Sequence, residues 1–315
     1  MFEGMDYIYE VYKEGSFSKA AKNLFISQPS LSASVKRIED RLGYPIFDRS
    51  TKPLRLTEFG AKYIESMMAI RNVEKNFQEF VNDYGNLKTG TLRLGGTNLV
   101  SSLIAPKLIS AYHTEYPQIV SELTEGTTPA LEEMLAEGTL DLVIDYSLPY
   151  HGTFETVKLA DEHLILTVPK TFAVNGLLKE YVLDIETIRN GMTGELPEPV
   201  PLEKFREVPF VLLRKMNDTS KHAALMFAEA GFEPVKVFEA AQQMTAYHVC
   251  YSGMGAAFVS SILLSHVSKN PDVVFYRLDP RYSTRQLCLI WKPERYFTHA
   301  MESFRELALR EIVNI

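Results

Sequence analysis

Gly15-Ser16-Phe17-Ser18-Lys19-Ala20-Ala21-Lys22-Asn23-Leu24-Phe25-Ile26-Ser27-Gln28-Pro29-Ser30-Leu31-Ser32 contains two helix starts within one short stretch. Gly15 ends whatever precedes it, and Ser16 is a good N-cap for a helix whose buried stripe is Phe17, Ala20, Ala21 and Leu24. The two alanines let another helix approach closely. Phe25-Ile26 is a short turn, Ser27 is a second N-cap, and Pro29 is tolerated in the first turn of the helix that follows. That helix buries Leu31, Val35, Ile38 and Leu42 and stops at Gly43.

Upstream, Met5, Ile8, Tyr9 and Tyr12 give a first helix the same stripe spacing. Two short helices joined by a turn of about three residues, the second opening on small polar side chains, form the helix-turn-helix pattern. Gln28, Ser30, Ser32, Ser34 and Lys36 are short hydrogen-bonding or basic groups suited to base edges and phosphates. Downstream, Tyr44 to Thr57 reads as two extended pieces around a polar turn, a wing carrying Arg49, Lys52 and Arg55 toward phosphates or a minor groove. Residues 15–57 hold eight basic side chains against three acidic ones, a balance of +5. The whole chain is −7, so the remainder carries −12. A basic head on an acidic body is the layout expected when one part touches phosphate and the rest does other work.

The blocks Gly15 to Leu24, Ser27-Gln28-Pro29-Ser30-Leu31-Ser32, Glu39-Asp40-Arg41-Leu42-Gly43, Phe47-Asp48-Arg49 and Leu56-Thr57-Glu58-Phe59-Gly60 resemble, in order and spacing, the signature of LysR-type transcriptional regulators. The resemblance implies contacts to double-stranded operator DNA from Ser27, Gln28, Pro29, Ser30, Ser32 and Lys36, with Arg49, Lys52 and Arg55 on the wing. Ala33 and Ser34 depart from the Arg and Gln that members of the family often carry, so the operator sequence does not transfer. The domain plan expected is a winged helix-turn-helix over 1–58, a linker helix and hinge over 59–88, and an effector domain over 89–315. The first lobe of that domain would take about 89–163 and 269–315, the second about 164–268.

From Phe59 to Tyr84 there is no proline, and Tyr63, Ile70, Val73, Phe77, Phe80 and Tyr84 recur at a/d heptad spacing. Such a helix would extend about 40 Å, and its stripe asks for a partner helix. Ile70 to Tyr84 is therefore the expected homodimer seam. The family adds that two such dimers commonly form a tetramer. Gly85, Asn86 and Gly90 read as a flexible joint.

Beyond residue 90 the chain alternates short apolar strands with helices, a β-α-β-α-β order that implies parallel strands covered on both faces. A second unit begins near His163, and the chain is expected to return to the first through Val273 to Leu278 and Leu287 to Trp291. Two lobes joined by crossing strands resemble the periplasmic-binding-protein-like fold of the LysR effector domain. Ligands on such sheets gather at the carboxyl ends of strands. The first-lobe candidates are Thr97, Asn98, Ser101, Thr127 and Thr128, where helix starts could hold a carboxylate or other anion. Across the cleft, Met216, Thr219 and Gln242 follow from placement alone. Residues 175–207, with Pro197, Pro199 and Pro201, read as a loop over or beside the second lobe.

Other classes find less support. The longest apolar runs fall short of a membrane span, and Met1 to Asp6 lacks the basic start of a secretory signal, so a cytoplasmic protein is expected. Cys250 and Cys288 lack CxxC spacing and read as reduced core thiols. The seven histidines show no HxH or HxxxH spacing, and no GxSxG elbow or GxxxxGK[ST] loop occurs. Neither a metal, a cofactor nor catalysis is expected. Gly253-Met254-Gly255 is a fragment of a dinucleotide fingerprint better explained by packing. Asp141 and Asp145 stand about 13 Å apart along one strand and read as strand-end residues. A two-lobed solute-binding protein and an enzyme on a doubly wound fold are the rival readings, and neither explains the basic head or the heptads.

Overall fold

The computed structural model describes residues 2–51, 53–84, 90–146, 153–215, 218–293 and 295–312, with only the backbone for Asn82 and Tyr84. Lys52 and Met216, both expected at functional sites, lie outside the described residues, as do Gly85 and Asn86 of the joint. The chain divides into two compact units, Met1–Val81 and Asn82–Ile315.

The first unit contains α1 (Met5–Glu14), α2 (Phe17–Asn23), α3 (Gln28–Leu42), the hairpin β1 (Phe47–Asp48) and β2 (Arg55–Leu56), and most of α4 (Glu58–Tyr84). Both expected caps form: Ser16 accepts from Lys19 N at 3.4 Å and Ser27 from Ser30 N at 3.3 Å. Gly43 ends α3 in the left-handed region at φ 79°, where a side chain would be strained. Ile8, Val11, Ala20, Ala21, Leu31, Val35 and Ile38 close the core under the wing. The start of α4 is fixed by Thr57, whose hydroxyl accepts from Gly60 N at 2.9 Å and donates to Pro45 O at 2.6 Å. At Gly60 a Cβ would meet Ile46 O at 2.0 Å, so only glycine lets α4 pass this close to the wing backbone.

Tyr63 departs from its expected place on the heptad seam. It is buried in the core of the head with Ile64 and Met67. The stripe becomes exposed only farther along, at Val73, Phe77, Phe80 and Val81, with Ile70 half-buried at the transition.

In the second unit, β3 (Gly90–Gly96), α5 (Ala105–Glu115), β4 (Ile119–Glu125), α6 (Thr128–Ala136) and β5 (Leu142–Tyr146) form the expected alternation. β3 lies parallel between β4 and β5. Then β6 (Glu155–Pro169) runs fifteen residues through both lobes. Its first half pairs with β12 (Thr284–Trp291), which borders β5, and its second half pairs with β10 (Ala256–Ser260) and β11 (Val273–Arg277). Beyond β10 lie β8 (Pro209–Leu213) and β9 (Val235–Ala240), all three parallel in that order.

Two expectations are corrected. Val273 to Arg277 does not return to the first lobe: it pairs with residues 165–169 of β6, and the crossing back is made by β12. The 175–207 stretch is more ordered than a loop. It holds α7 (Val174–Leu177), β7 (Val182–Leu183) paired with β11, and α8 (Ile185–Arg189). Leu178, Val200, Leu202 and Phe205 bury themselves in the second-lobe core. In that lobe α9 (Asp218–Glu229), α10 (Gln243–Tyr251) and α11 (Ser261–His266) cover the sheet. The short α12 (Pro280–Ser283) precedes β12, and α13 (His299–Glu311) packs on α5 in the first lobe.

Candidate DNA-reading helix and effector cleft

The first turn of α3 stands clear of the head. Ser27, Gln28, Pro29 and Ser30 are exposed, as is Lys36, while Ser32 is half-buried. Among the described residues no side-chain bond ties Gln28, which leaves its amide available to pair with a base edge. On the wing, Arg55 is exposed, whereas Arg49 has structural partners of its own: Glu39 at 2.9 Å, Ser32 Oγ at 3.5 Å and the Phe17 ring beneath its guanidinium. Glu39 is buried and also accepts from Ile46 N at 2.8 Å and Phe47 N at 3.2 Å, so one carboxylate joins α3 to the wing.

In the second unit, the carboxyl ends of β3, β4 and β5 face those of β8 and β9 across a cleft of about 740 Å³. Of the residues expected to contact a ligand, Thr97, Asn98, Thr127, Thr128, Thr219 and Gln242 line it. Ser101 does not. Its hydroxyl turns back to Gly96 O at 3.0 Å, and the cleft wall is taken by Ser102 instead. The reason is local: the helix before α5 starts with a wider π-type turn over Val100–Ile104, which displaces the face by one residue.

Sequence reasoning passed over the charged floor of the cleft. Asp145 is buried at 2% exposure and is clamped by Thr128 Oγ1 at 2.7 Å, Thr97 Oγ1 at 3.3 Å and Tyr146 N at 2.9 Å. Burial raises its pKa, and the hydroxyl and amide donors only partly offset this. On the facing side Arg285 donates from Nε to Glu162 at 2.7 Å and from Nη1 to Asp218 at 2.9 Å and Thr219 Oγ1 at 3.0 Å, and its guanidinium stacks 3.8 Å from the Tyr146 ring centre. Gln243 completes the frame by donating to Thr219 and accepting from Ser260 N. The sequence carried little signal for this site: Arg285 stands between Thr284 and Gln286, ahead of the apolar run of β12 from Leu287 to Trp291, and only its burial in the fold shows that this cation needs carboxylates nearby. Cys250 and Cys288 are buried, form no disulfide and are not among the residues that line the cleft.

Comparison with known proteins assigns both parts. The model for the bacterial regulatory helix-turn-helix protein of the lysR family matches residues 2–61, and that for the LysR substrate binding domain matches residues 85–312. The chain belongs to the LysR family of transcriptional regulators, with a helix-turn-helix DNA-binding domain and an effector-binding domain. It is 28% identical over 305 residues to the HTH-type transcriptional regulator YcgK of Bacillus subtilis, covering 96% of this chain and 92% of that one. It is 26% identical over 305 residues to a probable RuBisCO transcriptional regulator of Emiliania huxleyi, covering 95% and 91%. Among solved structures, a full-length OxyR variant from Pseudomonas aeruginosa shares the fold at TM-score 0.66 and 22% identity, with 98% and 93% covered. Full-length CbnR complexed with its target DNA does so at 0.60 and 21%, with 98% and 99% covered.

Proposed function

We propose that this regulator reads its operator through the first turn of α3 and is switched by a small molecule held between the lobes of the second unit. The observation that carries the DNA reading is the exposed, untied Gln28 between Ser27 and Ser30, flanked by the wing with Arg55. The DNA-bound CbnR neighbour is consistent with this use of the head. The exposed stripe of α4 is the surface through which two copies pair, and pairs of dimers assemble into the tetramer that the family resemblance implies. Among the described residues no helix is long and apolar enough to cross a membrane, and we place the protein in the cytoplasm, acting without catalysis.

The test is a pair of binding titrations. Gln28→Ala is expected to cost about 1–3 kcal/mol at the specific site and much less on random DNA. Equal losses on both would show that Gln28 reads no base. Arg55→Ala is expected to weaken both alike and to reduce the salt slope by about one. Arg49 is the less clean probe, because its removal also frees Glu39.

A further inference from the structure

The cleft carries a charge pattern that restricts what can enter it. Glu125, Asp145 and Asp218 line it against Arg214 and Arg285, and Glu162, bonded to Arg285, adds a fourth carboxylate to two guanidinium groups. The two hydroxyls best placed to greet an anion, Thr97 and Thr128, already donate to Asp145. A ligand that is only an anion would meet excess negative charge, with the Thr97 and Thr128 hydroxyls already committed to Asp145.

Among the described residues, buried polar atoms around the cleft with bonding capacity to spare include Tyr146 Oη and Glu162 Oε1, and two more are suited to the two ends of a charged ligand. Asp145 accepts three hydrogen bonds, two of them on Oδ1, which leaves room for a further donor at Oδ2. Arg285 is almost wholly buried, yet among the described residues its Nη2 amino group has no partner. A buried guanidinium nitrogen left unpaired is costly, and a ligand acceptor would relieve that cost.

Building on the assignment of this cleft as the effector site, we infer that the effector is a small zwitterion of the amino-acid type, its ammonium on Asp145 and its carboxylate on Nη2 of Arg285. The ammonium offsets the penalty that burial places on the ionised Asp145. The free hydroxyl of Thr127, which caps α6 without a side-chain bond, is a further donor at the cleft wall.

The experiment measures the thermal midpoint of the full-length protein with each of the twenty protein amino acids. Every one is compared with the amine and the 2-oxo acid of the same side chain. The result expected is that at least one amino acid stabilises, that both relatives bind about tenfold or more weakly, and that Asp145→Asn loses the response by a similar factor. Asn keeps the size and an acceptor for Tyr146 N, and the variant's own melting transition reports that it is folded. Binding of a 2-oxo acid as tightly as its amino acid, a response unchanged in Asp145→Asn, or no response across the set would overturn the zwitterion. A 2-oxo acid whose binding is lost in Thr127→Val would leave the cleft as effector site. A response indifferent to both substitutions would sink the cleft assignment as well.

Discussion

Glu39 shows how much one side chain can organise. Its carboxylate holds two wing amides and Arg49 while sitting almost out of water. Hydrogen bonds to a charged acceptor are each worth more than neutral ones, and orphaned amides cost the full desolvation. Glu39→Ala is therefore expected to destabilise the head by about 3 kcal/mol, seen as an earlier first transition in urea unfolding, and to weaken binding to all DNA. An unchanged transition would mean that the wing holds without it. Asp145 works in the opposite sense. Its pKa in the fold is raised by burial, so the ionised form costs stability, and that cost disappears as pH falls through the raised value. Without ligand, Asp145→Asn should melt above the parent at pH 7, and the gap should shrink as pH falls toward the unfolded carboxylate range. A constant gap would place the cause elsewhere. The sequence exposed Glu39 as part of a motif and Asp145 only as the end of a strand, because a polar residue's partners depend on distant segments: Thr97, Thr128 and Asp145 meet across nearly fifty residues.

At the scale of elements, the caps, the α3 stop and the wing follow directly from local chemistry. Serine, glycine and proline constrain the backbone within three or four residues, so their meaning survives without tertiary knowledge. Tyr63 is different, since heptad spacing is equally satisfied by a helix packed on its own domain and by one packed on a partner. The place of β11 was illegible for a similar reason: an apolar strand names no neighbour, and two sheets stood ready to accept it. The part of α4 that stays apolar and exposed, at Val73, Phe77 and Val81, lies outside the core of the head. Phe77→Glu should put a charge on that stripe and shift the protein toward monomer in sedimentation, and operator affinity should fall with it because two half-sites must be bound together. Unchanged sedimentation would contradict pairing through α4.

For the whole molecule, the division of charge is legible in the amino-acid sequence alone: +5 over residues 15–57 and −12 over the rest. The positive stretch lies within the unit Met1–Val81 that bears α3 and the wing, which with its acidic flanks nets +1, while the unit that bears the cleft carries −8. The outline of the cleft is legible too, since strand ends opposite strand ends follow from alternating β and α elements. Its chemistry is not, because Arg285, Asp218 and Asp145 come from three different stretches that only the two-lobed sheet brings together. A regulator built this way must select sequence, not merely bind polyanion. The direct measurement is to incubate the full-length protein with sheared DNA from its own source at physiological salt and sequence what is retained. A few discrete sites with two-fold symmetry, lost in Gln28→Ala, are predicted; retention spread evenly along the DNA, and equal in the variant, would contradict the account.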